Sequence, residues 1–167
     1  MKNLGNIRFK YKLMLMLIIP LAGLLYFSTS GLLERNGQVQ EMSELQSISH
    51  LSVQLSEVVH ETQKERGATA GYLGSEGEEF EETLSSQRKL TDKKVNELSR
   101  FLDSFDSSLL SSKIQNELDK GLRLLEKIEE RREDVDSLSI TTDKAISYYT
   151  TINSSFLGTI AELARLS

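Results

Sequence analysis

The sequence predicts an all-α protein, an N-terminal transmembrane helix followed by an antiparallel up-down four-helix bundle. Three observations carry that expectation. A stretch near the N-terminus holds no charge, apolar residues beyond it recur every three or four positions, and the composition is rich in Leu, Glu, Ser and Lys with a single Pro. At 167 residues the chain has room for one domain with a true core plus an appendage. Cysteine is absent, which excludes disulfides, thiolate metal sites and cysteine nucleophiles.

The appendage is "LMLMLIIPLAGLLYFSTSGLL", Leu13 to Leu33. As a helix rising ~1.5 Å per residue it matches the ~30 Å of a bilayer's hydrocarbon. Pro20 is compatible with this, since membrane helices adjust locally around a proline. Ser28 and Ser30 would suit signal cleavage, but the apolar run exceeds the ~7 to 15 residues of a signal-peptide core. Lys2, Arg8, Lys10 and Lys12 precede the stretch and no acid does. The positive-inside rule therefore makes 1–12 a cytoplasmic basic segment, 13–33 the span and 34–167 extracytoplasmic, which places the protein in the cell's inner membrane facing the periplasm. Of the 20 Lys and Arg, four lie before the span while all 25 Asp and Glu follow it. The exported part is thus acidic, which argues against nucleic acid as a partner.

Four amphipathic segments follow. From Gln38 to Leu73 the stripe runs Leu45, Ile48, Leu51, Leu55, Val59, Thr62, Arg66, Thr69 and Leu73, with Gly74 as its stop. Ser75 and Glu78 form a capping box for a second helix whose stripe is Phe80, Leu84, Gln87, Thr91, Val95, Leu98, Leu102 and Phe105. "SFDSSLLSS" is a turn. A third helix is expected from about Lys113 to Leu138, then a turn at "SLSITTD" with Thr141 or Thr142 as cap. The fourth helix carries Ala145, Tyr149, Ile152, Phe156, Ile160 and Leu163. Short connections between helices of similar length give the up-down bundle. Its fourth helix returns toward the bilayer, so the chain is expected to be the N-terminal part of a longer receptor.

In that bundle Arg66, Gln87, Arg132 and Tyr149 fall at one height, one from each helix, roughly 10 to 12 Å below the distal turns. An ordinary core would hold Leu or Ile there, so a polar layer is expected. Arg132 has Glu129 and Asp136 at helical spacing and Arg88 has Asp92, whereas Arg66 has no acid three or four residues away. A guanidinium on a buried stripe must find an anion, because an unpaired buried charge costs several kcal/mol. Gly67 and Gly71 each cost ~1 kcal/mol relative to Ala inside a helix, which suggests a close approach by a ligand or a neighbouring backbone. Two arginine forks at one height would clamp a small planar oxyanion.

"HETQKERGATAGYLGSEGEEFEETLSSQRKLTD", His60 to Asp92, closely resembles the signature of the nitrate- and nitrite-sensing domain of bacterial chemoreceptors, sensor kinases and a nitrate-responsive antiterminator. "ERREDVD" and "AISYYTTIN" resemble that family's later helices, so the likeness runs from about Glu44 to Phe156. The resemblance implies a four-helix sensor binding nitrate or nitrite through arginines on facing helices, with Arg66 as the motif arginine, Arg132 as the arginine before the VD pair and Arg88 in the QR motif. It also implies a homodimer. A planar anion bound in the polar layer is expected to neutralise Arg66 and Arg132 and to favour one register of the first helix against the fourth, a shift of ~1 to 2 Å. A second membrane helix and an output module, which such receptors have, are not found in these 167 residues. The alternatives are a bundle tuned to an amino acid or organic carboxylate, for which Tyr148, Tyr149 and Gln87 would serve, and a structural dimerisation module without ligand. No catalytic constellation, cofactor motif or metal site is expected, and Glu57, His60 and Glu61 read as a solvated face.

Overall fold

The computed structural model describes residues 9–165, the side chains of 9, 12, 30–38 and 40 excepted. Every regular element among them is helical: α1 (Phe9–Gly74), α2 (Glu81–Leu102), a 3-10 turn (Ser107–Leu109), α3 (Ser112–Leu125), α4 (Ile128–Asp136) and α5 (Thr142–Leu163). The chain divides into two compact units, Met1–Ser43 and Glu44–Ser167.

In the first unit the helix carries Pro20 without ending there. Its large apolar side chains stand in the open, among them Leu13, Met16, Leu17, Leu24 and Phe27, each more than half exposed. Thr29 returns its hydroxyl to the carbonyls of Leu25 and Tyr26, at 2.8 and 3.0 Å. Residues 30–33 of the expected span lie outside the described side chains, so the described apolar run stops at Thr29. Among the described residues no helix is long and apolar enough to cross a membrane.

The second unit is built on a core of Leu51, Leu55, Val58, Leu98, Ile152 and Phe156, each at most 1% exposed. The distal half of α1 supplies that stripe as expected, with one change of phase. Val58, Glu65 and Ala68 are buried, whereas Arg66 is only half-buried and Leu45 is exposed. The helix turns its carboxylate inward and its arginine to the edge, because Glu65 meets a cation from α4 there.

Partner numbers fall as α1 numbers rise: Glu57 meets Lys94 while Glu61 meets Gln87, and Thr62 meets Asn153 while Arg66 meets Thr150. The distal part of α1 therefore runs antiparallel to both α2 and α5. α3 packs along α5, and there Gly121 is required: a Cβ would run into the Phe156 ring.

Two expectations are corrected. The capping box at Ser75 does not start a helix. Ser75 Oγ instead accepts from Glu79 N at 3.0 Å, and Glu76, Gly77 and Phe80 take positive φ (56°, 85° and 67°), so residues 75–80 form a turn and α2 starts at Glu81. Phe80, expected on the buried stripe, is 47% exposed and lays its ring on Gly71. The third helix is also interrupted. Lys127 N turns back to Leu124 O at 3.1 Å, an i→i+3 bond, and Tyr148 Oη donates to the same carbonyl at 2.5 Å. The tyrosine supplies the bond that an unbroken helix would have made, so the break between α3 and α4 leaves that carbonyl satisfied. The turn at "SFDSSLLSS" forms as expected, with Asp106 capping the 3-10 turn and Ser111 capping α3.

Candidate functional site

At one level of the second unit the helices are joined by charge and not by hydrocarbon. Glu65 on α1 is fully buried and Arg132 on α4 is 4% exposed. The arginine's fork holds the carboxylate in two bonds, Nε to Oε1 at 2.8 Å and Nη2 to Oε2 at 2.9 Å. Its Nη1 also donates to Asp92 of α2 at 2.6 Å and to Glu129 at 2.5 Å. Tyr149 of α5, with no exposed surface, donates its hydroxyl to Glu65 Oε1 at 2.8 Å. Burial would lower the Arg132 pKa, but the bonds and charges of Glu65 and Asp92 outweigh it and hold the guanidinium firmly protonated. Burial, followed by the charge of Glu65, pushes the Tyr149 phenol well above its usual range, so it stays a donor.

Around this centre the other members of the layer are also occupied. Gln87 of α2 donates to Glu61 Oε2 at 2.6 Å and to the Glu61 carbonyl at 3.2 Å. Burial would raise the Glu61 carboxyl, but the bonds from Gln87 and Lys64 overcome it and hold it below the usual carboxylate range. Arg88 grips Asp136 of α4 with both Nη atoms, at 2.8 and 2.9 Å. Arg66 Nη1, by contrast, donates to Thr150 Oγ1 on α5 at 2.9 Å. Of Arg66, Arg88 and Arg132, it is the one whose described partner is neutral.

The expected polar layer is present in modified form. Arg132 and Tyr149 are brought together through Glu65, a residue that the sequence did not single out. Its signal was available: Glu65 lies three residues beyond Thr62 and four before Thr69, both fully buried. Arg132 keeps its expected local partner Glu129 and adds Glu65 and Asp92 from other helices, while Asp136 pairs across helices with Arg88. Arg66 and Arg132 do not share a partner, and the acids around Arg132 make that position repel an added anion. A close approach occurs at Gly71, where a Cβ would stand 2.8 Å from the Phe80 ring, but not at Gly67, which is exposed with nothing within 4 Å. Among the described residues no set of His, Asp and Glu could hold a metal ion.

The fold and this layer define an all-helical module whose helices are cross-linked at one level around a buried ion pair, with Arg66 at its edge bonded to a neutral hydroxyl. The chain belongs to the nitrate and nitrite sensing (NIT) family, whose sequence model matches residues 57–167, more than half of its length. That family is a signalling one. Among solved structures, that of the NasR transcription antiterminator is similar, with a TM-score of 0.70 at 22% identity over 85% of this chain. At that identity the likeness speaks for the fold. This chain spans 37% of that one. No curated protein matches it.

Proposed function

We propose that the protein is a membrane-anchored sensor of nitrate or nitrite, the N-terminal part of a chemoreceptor or sensor kinase that acts as a homodimer. Its second unit is an antiparallel up-down four-helix bundle, α3 and α4 together making the third helix. The anchor is 13–33, as supported by an uncharged sequence and by open apolar side chains along 13–29. The sensor unit then faces the periplasm.

The observation that carries the reading is the Arg66–Thr150 contact. A guanidinium bonded to a hydroxyl gains more from a planar oxyanion, which can take two of its parallel N–H donors and accept from the threonine as well. Gly67 leaves the space beside it open. An anion inserted there would replace the direct link between α1 and α5. One residue away, Glu65 with Arg132 and Tyr149 holds the register of α1, while Gln87 and Arg88 fix α2. Binding would therefore favour a small displacement of α1 along α5, on the order of 1 to 2 Å, and only to the extent that the two registers differ in affinity.

The test is thermal unfolding of the full chain in detergent with nitrate, nitrite, chloride and sulfate. A saturable rise in Tm with nitrate or nitrite at constant ionic strength is expected, since a ligand that binds the folded state stabilises it by mass action. Equal effects from all four anions would reduce the site to general screening.

A second reading, an organic carboxylate as ligand, draws on a cleft of about 400 Å³ lined by Leu124, Arg131, Lys144, Ser147, Tyr148 and Thr151. It offers the Lys144 cation, hydroxyls and an apolar floor, more than nitrate needs, while Arg131 is held there by Asp134, which lines the same cleft. A ligand there would leave the response to Arg66→Ala unchanged.

A further inference from the structure

The polar contacts between α1 and α5 form successive rungs. Thr62 Oγ1 donates to Asn153 Oδ1 at 2.5 Å, and one turn nearer the distal end Arg66 Nη1 donates to Thr150 Oγ1 at 2.9 Å. The Arg66 rung lies at the edge of the helix pair, where the arginine is half-buried and Thr150 is exposed. The Thr62 rung lies in the core, with no exposed surface on Thr62 and 4% on Asn153. Asn153 uses only its oxygen there: among the described residues its Nδ2 has no hydrogen-bond partner. A buried amide donor of this kind calls for an acceptor that the helices themselves do not supply.

Helix geometry turns this donor toward Arg66. Side chains of an α-helix lean toward its own N-terminus. Because α1 and α5 run antiparallel, Arg66 leans from its own level toward that of Thr62, while Asn153 leans toward that of Thr150, and the two converge between the rungs. At ~1.5 Å per residue the levels are ~5 Å apart. An acceptor group with a hydrogen bond of ~2.9 Å to either side bridges such a gap. The carboxylates nearest along α1 are committed elsewhere, Glu65 to Arg132 and Tyr149, and Glu61 to Lys64 and Gln87.

We propose that Asn153 Nδ2 is a further donor of the anion site and the one that makes it prefer nitrate to nitrite. The inference rests on the reading of Arg66 as the anion's receptor, and adds to it a second residue and a selectivity. The arginine's parallel N–H groups take two oxygens of a planar anion. Nitrite then has no oxygen left. Nitrate has a third, which carries its share of the charge and, turned inward, accepts from Asn153. Thr62 holds Oδ1 and so leaves the amide nitrogen as the free end. A ligand that leaves a buried donor unpaired is the one such a site rejects.

The test is isothermal titration of the full chain in detergent with nitrate and, separately, with nitrite, native and as Asn153→Leu. In that variant Thr62 keeps the Val58 carbonyl at 2.8 Å, so its hydroxyl is not stranded. The native chain should bind nitrate roughly three- to tenfold tighter than nitrite, the worth of one net hydrogen bond, and Asn153→Leu should weaken nitrate by that factor while leaving nitrite within about twofold. Should Asn153→Leu disturb the core, Asn153→Ala carries the same expectation. Equal affinities in the native chain, a preference that persists in the variants, or a parallel loss of both anions would overturn the role of Asn153 and leave the Arg66 site standing. No saturable heat with either anion in the native chain would overturn the Arg66 reading and the role of Asn153 together.

Discussion

Removing Arg132 should be the most damaging single change in the sensor unit. In Arg132→Met the apolar stem is kept and the fork is lost, which strips Glu65 of two bonds at 2.8 and 2.9 Å and leaves a carboxylate with no exposed surface facing Tyr149 alone. Breaking a buried pair from one side costs about 3 to 5 kcal/mol, a large share of the roughly 5 to 15 that holds a domain together. The converse change is milder. In Glu65→Gln the arginine keeps Asp92 and Glu129, and the amide oxygen still accepts from Tyr149, so a loss of about 1 to 3 kcal/mol is expected. The two changes should also couple. With Glu65→Gln already present, Arg132→Met should cost at least 1 kcal/mol less than it does alone. Urea unfolding followed by far-UV circular dichroism measures all three. A loss under 1 kcal/mol for Arg132→Met, or strict additivity, would refute the buried pair as the organiser of the layer.

Gly121→Ala should destabilise by about 1 to 3 kcal/mol, because the new methyl meets the fully buried Phe156 ring; denaturant melts check it. Gly67→Ala should do the opposite, raising stability by up to about 1 kcal/mol through helix propensity, as read by denaturant melts. Acid should unfold the sensor unit partly through Glu61. Its folded pKa lies below the unfolded value, so its contribution is full above about pH 4.5 and is lost as pH falls through the folded value; Glu61→Gln should flatten the stability profile in that window.

The helical class, the core stripes of α1, α2 and α5, and the stop at Gly74 were legible because each rests on local periodicity or on glycine chemistry. The turn at 75–80 was not. Ser75 and Glu78 satisfy the capping-box pattern, and nothing local shows that Gly71 would draw Phe80 onto α1 and delay α2. The break at Lys127 was equally hidden, because the Tyr148 hydroxyl that satisfies the freed Leu124 carbonyl comes from a helix more than twenty residues away. In the polar layer, Arg132, Gln87 and Tyr149 were found by height along the helices. Of their partners, Glu129 beside Arg132 was legible from its spacing, but Asp92 was not, since it lies on a different helix and periodicity does not report cross-helix pairing. Glu65 was missed for a related reason: an acid beside an arginine in a charged run resembles surface until a cation from α4 is placed against it.

The central claim is that Arg66 receives a planar anion. Isothermal titration of the full chain with nitrate and nitrite, beside the Arg66→Gln variant, tests it most directly, because a variant that keeps its helix content reports on the site alone. Saturable heat in the native chain, at least tenfold weaker in Arg66→Gln at equal ionic strength, is the result expected. Binding that is unchanged in Arg66→Gln would contradict the assignment and move the ligand to the cleft between Arg131 and Lys144.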